Sequence, residues 1–129
     1  MKRETGDDMF RDKPHKRLDL WTKAIDLVMM VYEVTRSFPR EEEFGLRSQL
    51  RRAAVSVPSN ISEGLTRTTK KDKLHFLNIA QGSLTELDAQ LEISERLGYV
   101  SGEKSTMLAE VQTAVESLLS GLIRSLRKS

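Results

Sequence analysis

The length, composition and charge of the chain exclude several classes of protein. Its 129 residues fit one domain, 38% of them are hydrophobic, and the 31% that are charged suit solvated helix faces. It has no cysteine, which excludes disulfides, thiolate chemistry and cysteine-ligated zinc. No apolar run approaches the ~20 residues that span a bilayer, and the charged N-terminus lacks the apolar middle of a signal peptide. We therefore expect a cytoplasmic protein.

The first part of the chain predicts a polar arm followed by a helix. Residues 1–17 are charged with both signs and are interpreted as a flexible arm, which leaves residues 18–129 as the folded domain. A helix is predicted from about Leu20 to Thr35, with Asp19 as its N-cap, and it should end at Phe38-Pro39, because a residue before proline avoids the helical conformation. Its apolar stripe, at spacings of four, three and four residues, consists of Trp21, Ile25, Val28 and Tyr32.

A second helix is predicted to open at the acidic run Glu41–Glu43, because carboxylates favour the positive end of a helix dipole. Pro58 falls inside its apolar stripe and should kink it, since proline lacks the N–H that an interior position needs. Asn60 is expected to bond the main-chain carbonyl and N–H groups that lose their helical partners at this kink. Glu63 belongs to the same structural segment, and Gly64 is the predicted C-cap of the helix.

Two further helices complete the pattern. Thr69 is the predicted N-cap of the third helix, which should end at Gly98 with Tyr99 packed back over its last turn. Ser101 is the N-cap candidate of the fourth helix. The fourth helix has the cleanest apolar spacing in the chain, formed by Leu108, Val111, Val115, Leu118 and Leu122. Four helices with short connections predict an all-α, antiparallel up-and-down four-helix bundle.

The third and fourth helices carry more apolar surface than one stripe requires, and each has an interior glycine, Gly82 and Gly121. Glycine costs about 1 kcal/mol relative to alanine in a helix interior, so it suggests a close backbone approach. That approach is either a tight crossing inside the monomer or an interface between subunits.

Charge is segregated along the sequence. Residues 44–73 contain seven basic residues and two acidic ones, whereas residues 74–98 contain four acidic residues and one basic one. The basic cluster either contacts nucleic-acid phosphates or is a solvated face paired with the acids of the third helix or the Glu41–Glu43 run. No aromatic residues interleave it, so any binding is expected to be led by the phosphate backbone. The candidate nucleic-acid-binding residues are Arg47, Arg51, Arg52, Arg67, Lys70 and Lys71.

Catalytic and cofactor motifs are not found. The only histidines are His15, in the arm, and His75. His75 lies three residues after Asp72, so a surface pair between these two side chains explains its presence without a catalytic role. The sequence has no phosphate-binding loop, no paired metal-ligating histidines and no serine–histidine–acid arrangement. We expect a non-enzymatic protein without a metal or another cofactor.

One long segment of the sequence resembles a family signature. The run from Phe44 to Gly64, FGLRSQLRRAAVSVPSNISEG, closely resembles that of the bacterial four-helix bundle proteins, also called 23S rRNA intervening-sequence proteins. Phe38-Pro39 upstream, and the segments AQGSLTEL (80–87) and LGY (97–99) downstream, are similar to the family's other marks. The resemblance covers residues 18–126.

The resemblance implies a four-helix bundle that assembles as a cyclic homo-oligomer, often a pentamer. It also implies a gene often found as an insertion in large-subunit ribosomal RNA genes. Relatives include the accessory protein of diversity-generating retroelements, a pentamer that binds nucleic acid and a reverse transcriptase through basic surface. Carried over by position, Arg47, Arg51 and Arg52 are the basic residues that this resemblance favours.

Two hypotheses for the function follow. The first is an oligomeric RNA- or DNA-binding protein, in which replacing Arg47, Arg51 and Arg52 with alanine weakens binding without unfolding the bundle. The alternative is a scaffold that docks a partner protein, such as a reverse transcriptase, with no physiological binding of nucleic acid.

Overall fold

The computed structural model describes residues 14–129 and consists of four helices. Helix α1 spans Pro14–Thr35, α2 spans Leu46–Thr66, α3 spans Lys70–Arg96 and α4 spans Gly102–Lys128. A single 3-10 turn at Arg40–Glu42 lies in the connection between α1 and α2. The predicted all-α fold is confirmed. No helix in this part of the chain is long and apolar enough to cross a membrane.

The helices pack in the order expected of an up-and-down bundle. Helix α1 contacts α2 and α4, and α3 contacts α2 and α4, with the most extensive contact between α2 and α3. Each helix therefore packs against its neighbours along the chain, and α1 and α4 close the bundle. One continuous core runs through all four helices, and its largest fully buried side chains are Leu20, Leu27, Val31, Leu50, Ile61, Leu77, Leu84, Leu87, Leu108, Leu119 and Leu122.

Helix α1 begins earlier than predicted. Its described part already includes Pro14, six residues before Leu20. Asp19 is therefore not the N-cap: it lies inside the helix and pairs with Lys23 one turn on (3.0 Å). Residues 14–17 of the predicted arm belong to α1, and residues 1–13 lie outside the described part of the chain.

The acidic run does not open α2, as predicted, but precedes it. Glu42 ends the 3-10 turn, and α2 starts only after Gly45. One Glu42 carboxylate oxygen accepts a hydrogen bond from the Leu46 N–H (3.1 Å), and the other accepts one from the Tyr99 hydroxyl (3.0 Å). Glu42 therefore caps α2 from outside and ties this end to the α3–α4 connection. Burial and this carboxylate raise the pKa of Tyr99.

Two predicted caps of α3 are confirmed. The Thr69 hydroxyl accepts a hydrogen bond from the Asp72 N–H (3.1 Å) at the start of the helix. At its end Gly98 adopts a φ of +80°, the left-handed conformation that glycine accommodates without strain. The Tyr99 N–H bonds the Ser94 oxygen (2.9 Å) and the Gly98 N–H bonds that of Glu95 (3.0 Å), which together form a Schellman motif.

The prediction that Gly64 is a C-cap is wrong. Helix α2 continues to Thr66, and Gly64 lies buried inside it. A Cβ at this position would lie 3.1 Å from the main-chain oxygen of Lys73 and 3.2 Å from the Leu77 side chain. Gly64 therefore permits the close approach of α2 to α3.

The two interior glycines of α3 and α4 differ from each other. Gly82 is exposed, and a Cβ there would meet nothing within 4 Å, so it does not form a tight crossing inside the monomer. Gly121 is buried. The broad apolar surface of α4 is largely used by its packing against α1 and α3. Exposed large apolar side chains are found on all four helices of the described structure. Those on α1, in the turn before α2 and in α2 are Leu18, Trp21, Met29, Tyr32, Phe44 and Val55, and those on α3, just after it and on α4 are Ile79, Ile93, Leu97 and Met107.

Candidate nucleic-acid interface

Two arginines from the start of α2 hold the C-terminal end of α1. Arg47 donates from Nε to the main-chain oxygen of Thr35 (3.0 Å) and from Nη2 to that of Phe38 (2.7 Å). Arg51 donates from Nε to the Thr35 hydroxyl (2.9 Å), and its guanidinium lies 4.4 Å from the centroid of the Tyr32 ring. The last carbonyls of a helix lack intrahelical partners and carry partial negative charge, and α1 has no basic residue in its own last turn. These arginines therefore cap α1.

Arg52, the third arginine of this group, differs from the other two. It is exposed, and it makes no hydrogen bond or ion pair with any of the described residues. It lines an open groove of about 720 Å³ together with Arg47, Arg51 and a single carboxylate, Glu43. Three guanidinium groups against one carboxylate make this groove, which we call the cationic groove, positively charged.

The remaining candidates lie at the other end of the molecule. Arg67 pairs with Glu63 in the last turn of α2 (2.9 Å), and Lys70 donates to two main-chain oxygens at the end of α4 (2.9 Å each). Lys71 is exposed and makes no bond within residues 14–129. Arg47 lies in the first turn of α2 and Arg67 just after its last residue, which separates them by about 30 Å at the helical rise. The structure therefore divides the predicted basic surface into two parts.

The alternative hypothesis, that the basic residues pair with acidic ones, holds in the described residues only for Arg67. Within the described residues, no ion pair joins the arginines of α2 to a carboxylate of α3 or of the Glu41–Glu43 run. Arg67, the residue after α2, pairs with Glu63 of that helix. The guanidinium of Arg67 also lies 4.6 Å from the ring centroid of Phe76. Arg47 and Arg51 have α1 main-chain or hydroxyl oxygens as their partners instead.

The segment around Pro58 connects two helices. Pro58 is buried inside α2. Asn60 donates from Nδ2 to the main-chain oxygen of Ser56 (2.8 Å) and to its hydroxyl (3.0 Å), which in turn lies 2.7 Å from the Ser83 hydroxyl of α3. Asn60 therefore links α2 to α3 through Ser56, whereas the carbonyl that Pro58 leaves without its helical partner is that of Ala54, which is not among the bonds of Asn60. Glu63 is exposed and serves as the partner of Arg67.

An apolar groove continues along the α1–α2 face. Its volume is about 540 Å³, and it shares Val55 with the cationic groove. Its α1 wall consists of Trp21, Ile25 and Val28, and Pro58 contributes from α2. Trp21 keeps 39% of its surface exposed. An apolar surface of this kind is suited to contact with a protein.

The acidic residues of α3 lie on the opposite side of the bundle. Asp88, Glu92 and Glu95 line a small groove of about 180 Å³ with Glu116 of α4. Partial burial, and secondarily the charge of Asp88, raises the pKa of Glu116. The described residues contain no group of three or more histidine or acidic side chains arranged to hold a metal ion.

Replacing Glu116 with glutamine should raise the melting temperature at pH 7. Because the folded-state pKa of Glu116 lies above its unfolded value, the ionised carboxylate destabilises the fold at neutral pH. This cost declines as the pH falls through the raised pKa and is gone only below the ordinary pKa of 4.5. The gain should be below about 0.5 kcal/mol, because the side chain is exposed. Thermal melts of E116Q and of the matched α4 variant Glu110→Gln, at pH 7 and pH 4, test this. A gain that is equal at both pH values would contradict the electrostatic cause.

The structure adds two aromatic residues that the sequence did not assign to the basic cluster. Tyr32 of α1 and Phe44, before α2, both line the cationic groove. The position of Phe44, three residues before Arg47, could have assigned it to the basic cluster from the sequence. Tyr32 lies in a different helix and reaches the groove only because α1 packs against α2. The arginines are therefore accompanied by aromatic side chains.

The architecture defines the class of protein. It is an up-and-down four-helix bundle whose α1–α2 face carries a cationic groove and an apolar groove. The family of 23S rRNA-intervening sequence proteins matches residues 16–121, and the chain belongs to that family. This confirms the resemblance found in the sequence.

A solved structure has the same fold. It is the 1.70 Å crystal structure of a protein of unknown function from the S23 ribosomal protein family of Bacteroides thetaiotaomicron VPI-5482. The two chains are 24% identical, with a TM-score of 0.77 over 84% of this chain and 97% of the other. No curated protein matches the chain.

Proposed function

We propose that this chain is a non-enzymatic, cytoplasmic, oligomeric protein that binds RNA or DNA through the cationic groove. The observation that carries the proposal is the juxtaposition of Arg47, Arg51 and Arg52 around one open groove with a single carboxylate. Clustered guanidinium groups bind phosphates and release their counterions, which makes the affinity dependent on salt. The family's description, which concerns an intervening sequence of 23S rRNA, agrees with a nucleic-acid context.

The oligomer is part of the same proposal. Exposed apolar side chains on α1, and the apolar groove beside Trp21, would be covered by other subunits in a cyclic assembly. The family resemblance favours a homopentamer. Light scattering of the purified protein tests this part, because a particle with the 14.7 kDa mass of one chain would contradict it.

Arg52→Ala is the variant that tests nucleic-acid binding. Arg52 is exposed and makes no bond within the described residues, so its loss should leave the fold intact. We expect weaker binding of labelled RNA and duplex DNA, and a log–log salt slope reduced by about 0.7–0.9, which corresponds to one phosphate contact. Fluorescence anisotropy at several salt concentrations measures both quantities.

The matched control is Lys104→Ala. Lys104 is an exposed cation of α4, a helix that does not contact α2 in the described structure. The control removes the same charge away from the cationic groove and should leave the slope unchanged. Equal losses in both variants would show general charge attraction and would reject the groove as the binding site.

The alternative proposal is a scaffold for a partner protein, such as a reverse transcriptase, and the apolar groove is the observation that favours it. Under this alternative, nucleic acid binds only at low salt, and R52A does not alter complex formation with the partner. Binding at physiological salt that depends on Arg52 favours the first proposal.

A further inference from the structure

Phe44 is the most exposed large apolar side chain among the described residues. It keeps 90% of its surface accessible and occupies the turn between the 3-10 turn and α2. A buried aromatic side chain usually removes a large apolar area from water and stabilises a core. Phe44 buries almost no apolar area in the monomer and so contributes little to its stability. Its ring is therefore available to a ligand.

The surroundings of Phe44 are cationic. It lines the same groove as Arg47, Arg51 and Arg52. Arg47 and Arg51 each use two of the five N–H donors of a guanidinium for bonds to α1 and to the segment that follows it. These bonds fix both guanidinium groups at the groove wall before a ligand binds. Arg52 supplies a third guanidinium without a partner among the described residues.

An exposed ring beside fixed cations selects a particular form of nucleic acid. In a duplex the bases are stacked inside the helix, and a surface ring cannot reach their faces, so only phosphate contacts remain. In a single strand the bases can splay out and stack on an aromatic side chain while arginines contact the backbone. A protein surface covering Phe44 would in addition have to provide carboxylates for the arginines.

We propose that the cationic groove binds single-stranded nucleic acid, with a base stacked on Phe44 and the backbone held by Arg52. This inference rests on the proposed function and specifies its ligand. It also replaces the sequence-based expectation that base stacking does not contribute, because the packing of α1 against α2 brings Tyr32 to the same groove.

The test compares Phe44→Leu and Phe44→Trp with the unmodified protein. The probes are a labelled oligouridylate and an RNA duplex of equal length, titrated at physiological salt. We expect F44L, which keeps an apolar side chain but loses the π face, to weaken oligouridylate binding about 5- to 150-fold, the range for loss of one stacked base. F44W should restore it, and duplex affinity should change less than about twofold, since phosphate contacts are retained.

Three outcomes would overturn the inference. If neither probe binds, the proposed function fails and this inference fails with it. If both probes bind and F44L has no effect, the inference alone fails and a phosphate-binding groove remains. If F44L changes the mass measured by light scattering while its circular dichroism spectrum is unchanged, a second copy of the chain covers Phe44 instead.

Discussion

Replacing Arg47 with alanine should lower the free energy of unfolding by about 2–3 kcal/mol, although Arg47 lies outside the apolar core. The substitution removes the hydrogen bonds to the main-chain oxygens of Thr35 and Phe38, two residues that are 0% and 4% exposed. Their carbonyls then lose a charged donor at the negative end of the α1 dipole. The melting temperature should fall by about 10 °C, given the unfolding entropy of a chain of this size. Thermal and urea denaturation followed by circular dichroism measure the change.

The control for this prediction lies five residues away. Arg52→Ala removes the same side chain from an exposed position without a bond partner in residues 14–129, and should change stability by less than about 0.5 kcal/mol. Arg47→Lys should fall between the two, because an ammonium is a point donor that cannot reproduce the planar fork of a guanidinium. Equal stability of the R47A and R52A variants would mean that water replaces Arg47 at the end of α1 without cost.

This prediction changes how the arginine cluster should be tested. The sequence suggested that alanine at Arg47, Arg51 and Arg52 together would weaken nucleic-acid binding and spare the fold. Since Arg47 and Arg51 cap α1, we expect the triple variant to lose stability as well. A loss of binding in that variant would then have two causes. Arg52 and Phe44, both exposed, separate binding from folding.

Local signals in the sequence predicted the features that depend on a few consecutive residues. The Schellman end of α3 needs a glycine followed by an apolar residue, and Gly98-Tyr99 provides both. Thr69 caps α3 for an equally local reason. The apolar periods predicted four helices because each stripe repeats within one element.

Long-range contacts explain what the sequence could not predict. Glu42 is one of three adjacent glutamates, and the sequence does not show which of them caps α2. The fold determines this, because it places the Tyr99 hydroxyl 3.0 Å from the Glu42 carboxylate. Arg47 and Arg52 are indistinguishable as sequence letters, yet the crossing of α1 over α2 makes one a cap and leaves the other exposed. The position of a side chain relative to a neighbouring helix thus determines whether a cation is structural or available.

A larger side chain at Gly64 should also destabilise the fold strongly, because α3 packs closely against α2 at this position. Gly64→Leu should destabilise the bundle by about 3 kcal/mol, at the upper end of the usual cost of overpacking. The first added carbon would already lie 3.1 Å from the main-chain oxygen of Lys73 and 3.2 Å from Leu77, and the rest of the side chain has to displace α3. Denaturation in urea, followed by circular dichroism, measures the loss.

Alanine at the two glycines isolates the cause. Gly82→Ala adds a Cβ that meets nothing within 4 Å, so it should gain the helix propensity of alanine, up to about 1 kcal/mol. Gly64→Ala brings the same propensity but pushes against a backbone oxygen of α3, and should therefore be the less stable of the two variants. If both alanine variants gained equally, α2 and α3 could separate freely at this point, and Gly64 would have no role in their close approach.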